Sequence, residues 1–236
     1  MPWQFFPTGA AITQGAASPP FHGFFDPMGW GIEFIYTAII VFFCFLIYYM
    51  TRDMYKLTKH EGIHLFRNTF LFFGLAYIFR LVLNLILLGD ITFDFIQSPR
   101  EIMPAFMVVT TFFSTMAIFF LTYSTLWKRI KSKYLILISY LIVAIISILP
   151  FFTRSHYIVV LLQLLLLIFA VIMIYIRKAR HIKIRVLYLL ILVFWLLNFF
   201  FVGRRGFLPF EIKLLFQIAS IGVFYLIYRK VSKWTK

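Results

Sequence analysis

Arg80 is the one formal charge deep within a long apolar run, about four residues or roughly 6 Å outward of the run's midpoint at helical rise. A guanidinium at that depth costs roughly 2.5 to 3.5 kcal/mol on insertion scales, so it should face protein or water and meet an acceptor. Tyr77 and Asn84 lie at i−3 and i+4 and share its helical face. Polar side chains recur at similar depth in four other runs: Thr110, Thr111, Ser114 and Thr115; Gln163; Asn198; and Gln217 with Ser220. Converging, these faces would build a polar pocket around one cation, with Glu33, Asp90, Asp94, Arg204, Arg205 and Glu211 at its mouth. The expected ligand-binding residues are therefore Arg80, Tyr77, Asn84, Thr111, Ser114, Gln163, Asn198 and Gln217. Such a pocket suits a small solute bearing a carboxylate or phosphate. The competing reading is structural. Asn, Gln, Ser and Thr join membrane helices through hydrogen bonds worth about 0.6 kcal/mol each, and Arg80 can tie to Glu33 or Asp90.

A second pattern, His60-Glu61-Gly62-Ile63-His64, matches H-E-x-x-H. In membrane-bound zinc proteases, that spacing puts two histidine ligands one helical turn apart, with the glutamate as general base; the roles would fall to His60, His64 and Glu61. Three features oppose it. The only further acids or histidines expected on the same side are Asp53 and His181, neither in a recognisable second motif. Gly62 weakens the helix that the motif needs, and no extra domain remains to close a cleft. No catalytic residue, metal or cofactor is expected: the sequence has no glycine-rich phosphate loop and no nucleophile elbow. No carboxylate occupies the centre of an apolar run, which argues against proton- or sodium-coupled pumping.

The elements that must position these residues are apolar throughout. A hydrocarbon core about 30 Å thick needs roughly 20 residues per helix, and seven runs of that order fill the chain, near 30–50, 64–89, 102–127, 134–152, 156–176, 185–203 and 209–228. With 63% hydrophobic and 13% charged residues in 236, short loops are all that remains. The expected architecture is an all-α membrane domain over 30–236, preceded at 1–29 by an outer flap. That flap holds Pro2, Pro7, Pro19, Pro20 and Pro27 among glycines and phenylalanines.

The net charge of +15 would point to nucleic acid in a soluble chain, but its placement excludes that partner. Lysine and arginine gather at alternate junctions and the C-terminus: Arg52, Lys56, Lys59 and Arg67; Lys128, Arg129, Lys131 and Lys133; Arg177, Lys178, Arg180, Lys183 and Arg185; Arg229, Lys230, Lys233 and Lys236. Under the positive-inside rule these segments face the cytoplasm, so the N-terminus is outside and the C-terminus inside. The same loops are expected to touch anionic lipid headgroups. Residues 1–28 lack the basic start of a cleavable signal, and the lone Cys44, within the first run, reads as packing.

The runs carry a trace of duplication. Leu83-Asn84, Gly89 and Phe93 recur at the same spacing as Leu197-Asn198, Gly203 and Phe207, which pairs run 2 with run 6 in a three-one-three parallel repeat. Sugar facilitators and receptors that retrieve luminal proteins have a similar plan, although the proline-glutamine pair typical of that group is absent. Microbial rhodopsins also resemble this topology, but their retinal requires a lysine deep in the last helix, where only Lys213, at the outer start, is found. The expected activity is facilitated movement of a small anionic solute. The alternatives are a seven-helix ligand sensor signalling through a cytoplasmic partner, the zinc protease, and a structural membrane protein.

Overall fold

A computed structural model describes residues 27–93, 99–127, 133–153, 156–176, 182–199 and 210–235. Among them the chain is all helical: α1 (Pro27–Thr58), α2 (Glu61–Phe93), α3 (Pro99–Leu126), α4 (Lys133–Thr153), α5 (His156–Ile176), α6 (Ile182–Phe199) and α7 (Phe210–Thr235). Pro27 and Pro99 open their helices, where a missing N–H costs nothing. Glu61 and Glu211 sit in first turns and Lys56 and Lys233 in last turns, each complementing the helix dipole.

Several helices outrun the apolar spans expected for them. α1 continues from 50 to Thr58 and α7 from 228 to Thr235, because Arg52, Lys56, Arg229 and Lys230 end the apolar stretch without opposing helix; Lys and Arg are good helix formers. The last residues assigned to the flap, Pro27 to Gly29, belong to α1, while 1–26 and the junctions holding Asp94, Arg204 and Arg205 lie outside the described residues. Between α1 and α2 the turn is tight. Lys59 takes a left-handed φ of 50°, its N–H bonds to the Tyr55 carbonyl at 2.7 Å, and the His60 carbonyl accepts the Ile63 N–H at 2.9 Å.

Successive helices alternate in direction and pack in chain order, and α7 closes back on α1. α3 and α5 also touch directly, which leaves α4 on the outside against those two. α1 and α2 approach closely where a Cβ on Gly74 would stand 3.2 Å from Cys44 Cβ, and Cys44 is accordingly buried packing. The large side chains that fill the centre include Ile40, Ile47, Leu167, Leu187, Phe194, Phe224 and Ile227, all fully buried. Phe194 meets Phe224 at 4.8 Å between centroids and Phe73 at 5.5 Å, both edge to face. A second cluster, Leu65, Met116, Phe120 and Val143, joins α2, α3 and α4.

Among the described residues, four stretches are long and apolar enough to cross a membrane: Gly31–Thr58, Glu61–Ile86, Pro104–Leu126 and Glu211–Lys233. α4, α5 and α6 hold the shorter apolar stretches Ile136–Leu149, Ile158–Met173 and Arg185–Asn198. The exterior is apolar too: Phe42, Leu137, Leu141, Ile145, Leu161, Leu165, Leu215 and Ile218 are exposed. An outside as greasy as the inside fits a membrane-embedded protein, in which helices satisfy their own backbone groups. Phe194→Ala, at the hub of the central aromatic cluster, is expected to cost about 3 to 5 kcal/mol; reversible unfolding in mixed micelles checks this.

Candidate functional site

Three layers stack at the end of the bundle away from the α1–α2 turn. In the lowest, Phe73, Phe194 and Phe224 close the centre. One helical turn beyond each phenylalanine stands a polar residue: Tyr77, Asn198 and Ser220, joined by Tyr36 from α1. Asn198 is the hub. Its Oδ1 accepts from the Tyr36 hydroxyl at 2.8 Å and the Tyr77 hydroxyl at 3.0 Å, while its Nδ2 donates to the Phe194 carbonyl at 2.8 Å and to Ser220 Oγ at 3.0 Å. Ser220 Oγ also lies 3.3 Å from the Tyr36 hydroxyl. A carboxamide has two donors and two acceptor sites, and all four are used.

The upper layer is charged. Arg80, three residues after Tyr77, donates through an Nη to Glu33 Oε1 at 2.8 Å, with side-chain exposures of 36% and 31%. Of the two acids considered for Arg80, the carboxylate on α1 is the one observed in place, three residues before Tyr36. One turn further out on α2, Asn84 is 9% exposed, yet its Nδ2 has no hydrogen-bond partner among the described residues. That layer therefore holds a partnered cation that water or a solute can reach, beside a buried donor with nothing to donate to.

The expected single pocket is divided. Tyr77, Arg80, Asn84 and Asn198 gather on the α1, α2, α6, α7 side, whereas Gln163 crosses from α5 to α3, donating to Ser114 Oγ at 2.8 Å and Thr115 Oγ1 at 2.7 Å. Thr111 is buried on that side, and Ser114 in turn donates to the Thr111 carbonyl at 3.1 Å. Gln217 is half-buried one turn before Ser220 and makes no described contact with either cluster. The reason is geometric: periodicity tells which face of a helix is polar, but the ring order decides which neighbour that face meets. Inward of the polar layer lies an apolar cavity of about 20 Å³, bounded by Phe70, Phe73, Ile118, Phe194, Trp195 and Phe224 among others. It has room for about one water, and it is not at Arg80.

Tyr36 was absent from the residues expected at the site. A tyrosine near the start of an apolar run passes for an interface anchor; the available signal was its i+3 spacing from Glu33. Tyr188 was missed likewise; it donates to the Leu121 carbonyl at 3.0 Å, contacts Ser124, and ties α6 to α3.

At the opposite end, the H-E-x-x-H residues lie at the α1–α2 turn, where the His60 carbonyl also accepts the His64 N–H at 3.3 Å. α2 starts at Glu61, so His60 is outside the helix with its ring 4.2 Å from that of Trp127, while the His64 ring lies 5.1 Å from Tyr55. Gly62 has a packing role here, since a Cβ would stand 3.0 Å from both the His60 and Trp127 rings. Among the described residues no three of His, Cys, Asp or Glu come together as metal ligands. Elemental analysis is expected to find the same low zinc content in wild type and His64→Ala; one zinc per chain lost on that substitution would restore the motif.

The layering also predicts unequal costs. Asn198→Leu strands the hydroxyl of Tyr77, leaves that of Tyr36 only the longer contact to Ser220, and is expected to destabilise by about 1 to 3 kcal/mol. Ser220→Ala leaves the hub three of its bonds and should cost less than about 1 kcal/mol. Unfolding in mixed micelles would rank the two.

No family model and no solved structure matches this chain. A protein of Archaeoglobus fulgidus described as uncharacterized is 35% identical over 210 residues, spanning 85% of this chain and 92% of its own length. At that identity over nearly the whole of both proteins, the chain belongs to the same family as the Archaeoglobus protein.

Proposed function

We propose that this chain is a seven-span membrane protein, with N-terminus outside and C-terminus in the cytoplasm, that takes a small anionic solute at Arg80 and passes it between two three-helix groups, α1–α3 and α5–α7. The observation that carries this reading is the seam at Asn198. There α1 and α2 are tied to α6 and α7 by side chains alone, directly beneath a half-exposed arginine. Two further features support it. With α4 left aside, the helix contacts map onto themselves when α1, α2 and α3 are exchanged with α5, α6 and α7: α1 on α2 becomes α5 on α6, and α3 on α5 becomes α7 on α1. The described basic residues Arg52, Lys56, Lys59, Arg67, Arg229, Lys230 and Lys233 gather at the end away from Arg80, as an N-out orientation requires.

The chemistry runs through competition. A carboxylate or phosphate reaching Arg80 vies with Glu33 for the guanidinium fork, and Asn84 offers a second donor one turn further out. Release of Glu33 loosens the start of α1 at Tyr36, whose hydroxyl is one of the bonds holding the seam. Solute binding is thereby linked to separation of the two groups, and the phenylalanines beneath must part before anything larger than water passes.

A thermal-shift screen of purified protein against small carboxylates and phosphates, followed by proteoliposome uptake of the best binder, tests the assignment. Arg80→Ala is expected to abolish binding and uptake while remaining folded, and Glu33→Gln to tighten binding about tenfold. Unchanged binding and uptake in Arg80→Ala would remove the anion site; binding without uptake in wild type would turn the reading towards a sensor.

A further inference from the structure

Arg67 poses a different problem at the opposite end of the same helix. It lies roughly 9 Å along α2 from Glu61, its Nε is buried without a hydrogen-bond partner, and it makes no ion pair with a described residue. Its neighbours are aromatic: the guanidinium carbon stands 5.1 Å from the centroid of Tyr48 and 5.3 Å from that of Tyr55. Both rings belong to one stripe of α1, with exposed Arg52 between them at i+4 from Tyr48. His64 closes the side, its ring 5.1 Å from Tyr55.

Cation–π contacts hold a guanidinium in place but supply no acceptor for its N–H groups, and a partly buried cation with no anion is the costly half of an unfinished pair. With two rings against it and its Nε buried, the planar group offers its Nη side to a partner, and the two Nη groups fit two oxygens of one phosphate. The depth matches the boundary between headgroups and acyl chains. A tyrosine ring also stands against an arginine in the α5–α6 hairpin, where Arg185 lies 5.9 Å from the Tyr175 ring.

We propose that the α1–α2 hairpin is a binding site for one anionic phosphate ester, with Arg67 as its ligand and Tyr48 and Tyr55 as its walls. The site is separate from the anion reading at Arg80 and stands whether or not that reading holds. Phosphatidylglycerol at the bilayer surface and soluble phosphate share the chemistry, and the two can be told apart.

The full chain in detergent is titrated in turn with phosphatidylglycerol, zwitterionic phosphatidylcholine and inorganic phosphate, read by native mass spectrometry with the melting temperature followed in parallel. Wild type is expected to retain one phosphatidylglycerol at least tenfold more tightly than phosphatidylcholine. Arg67→Gln and Arg67→Lys lose that preference, the latter because a lysine keeps the charge without the fork or the stacking, while Lys233→Gln keeps it. Saturable binding of inorganic phosphate that disappears in Arg67→Lys would assign the same site to a soluble phosphate. Should Arg67→Gln not fold, the wild-type titration and Arg67→Lys decide. Equal retention of both lipids by wild type with no phosphate bound overturns the site, as does a preference unchanged in Arg67→Lys or lost equally in Lys233→Gln.

Discussion

One carboxamide sets the relative positions of four helices. A buried carboxamide needs a partner for every donor and acceptor, and those of Asn198 come from α1, α2, α6 and α7. Because each polar partner sits one turn from an aromatic or aliphatic neighbour, satisfying Asn198 also brings Phe73, Phe194 and Phe224 to one level. Sliding any of these helices by a turn would place a hydroxyl against phenyl rings and a phenyl ring against an amide. Apolar packing alone, among side chains as alike as Leu, Ile and Phe, has no comparable means of choosing a register.

The two ends of α2 use arginine in opposite ways. At Arg80 the charge has a carboxylate on the adjacent α1, and the neighbouring Asn84 holds a donor in reserve. At Arg67 the charge is held by rings, and its Nε lacks an acceptor among the described residues. Guanidinium tolerates both settings because its charge is spread over a plane that can be stacked on one side and hydrogen-bonded at its edge. A lysine in either place would be a point charge able to do only the second.

Much of the fold was legible before any coordinates. The all-helical architecture and the seven described helices follow from seven apolar runs separated by polar junctions. The Tyr77, Arg80, Asn84 face was legible for the same reason, being a matter of spacing on one helix. What spacing cannot convey is which neighbour a face meets, so Gln163 and Asn198 looked like parts of one pocket although α5 turns the first towards α3 and α6 turns the second towards α1. Nor does the sequence announce the break before α2. Lys59 is neither glycine nor proline, yet it takes the left-handed conformation that turns the chain between α1 and α2.

The position of α4 has a further consequence. The other six helices close a ring without it, since α3 and α5 already touch, so its contribution is one of parity. An odd number of crossings between α3 and α5 makes α5 run the same way as α1; an even number would run it the opposite way. Asn84 and Asn198, on α2 and α6, then fall at the same end of the bundle instead of at opposite ends. A single outlying helix thus decides that the polar side chains of both halves share one face of the protein, and it does so by being traversed once.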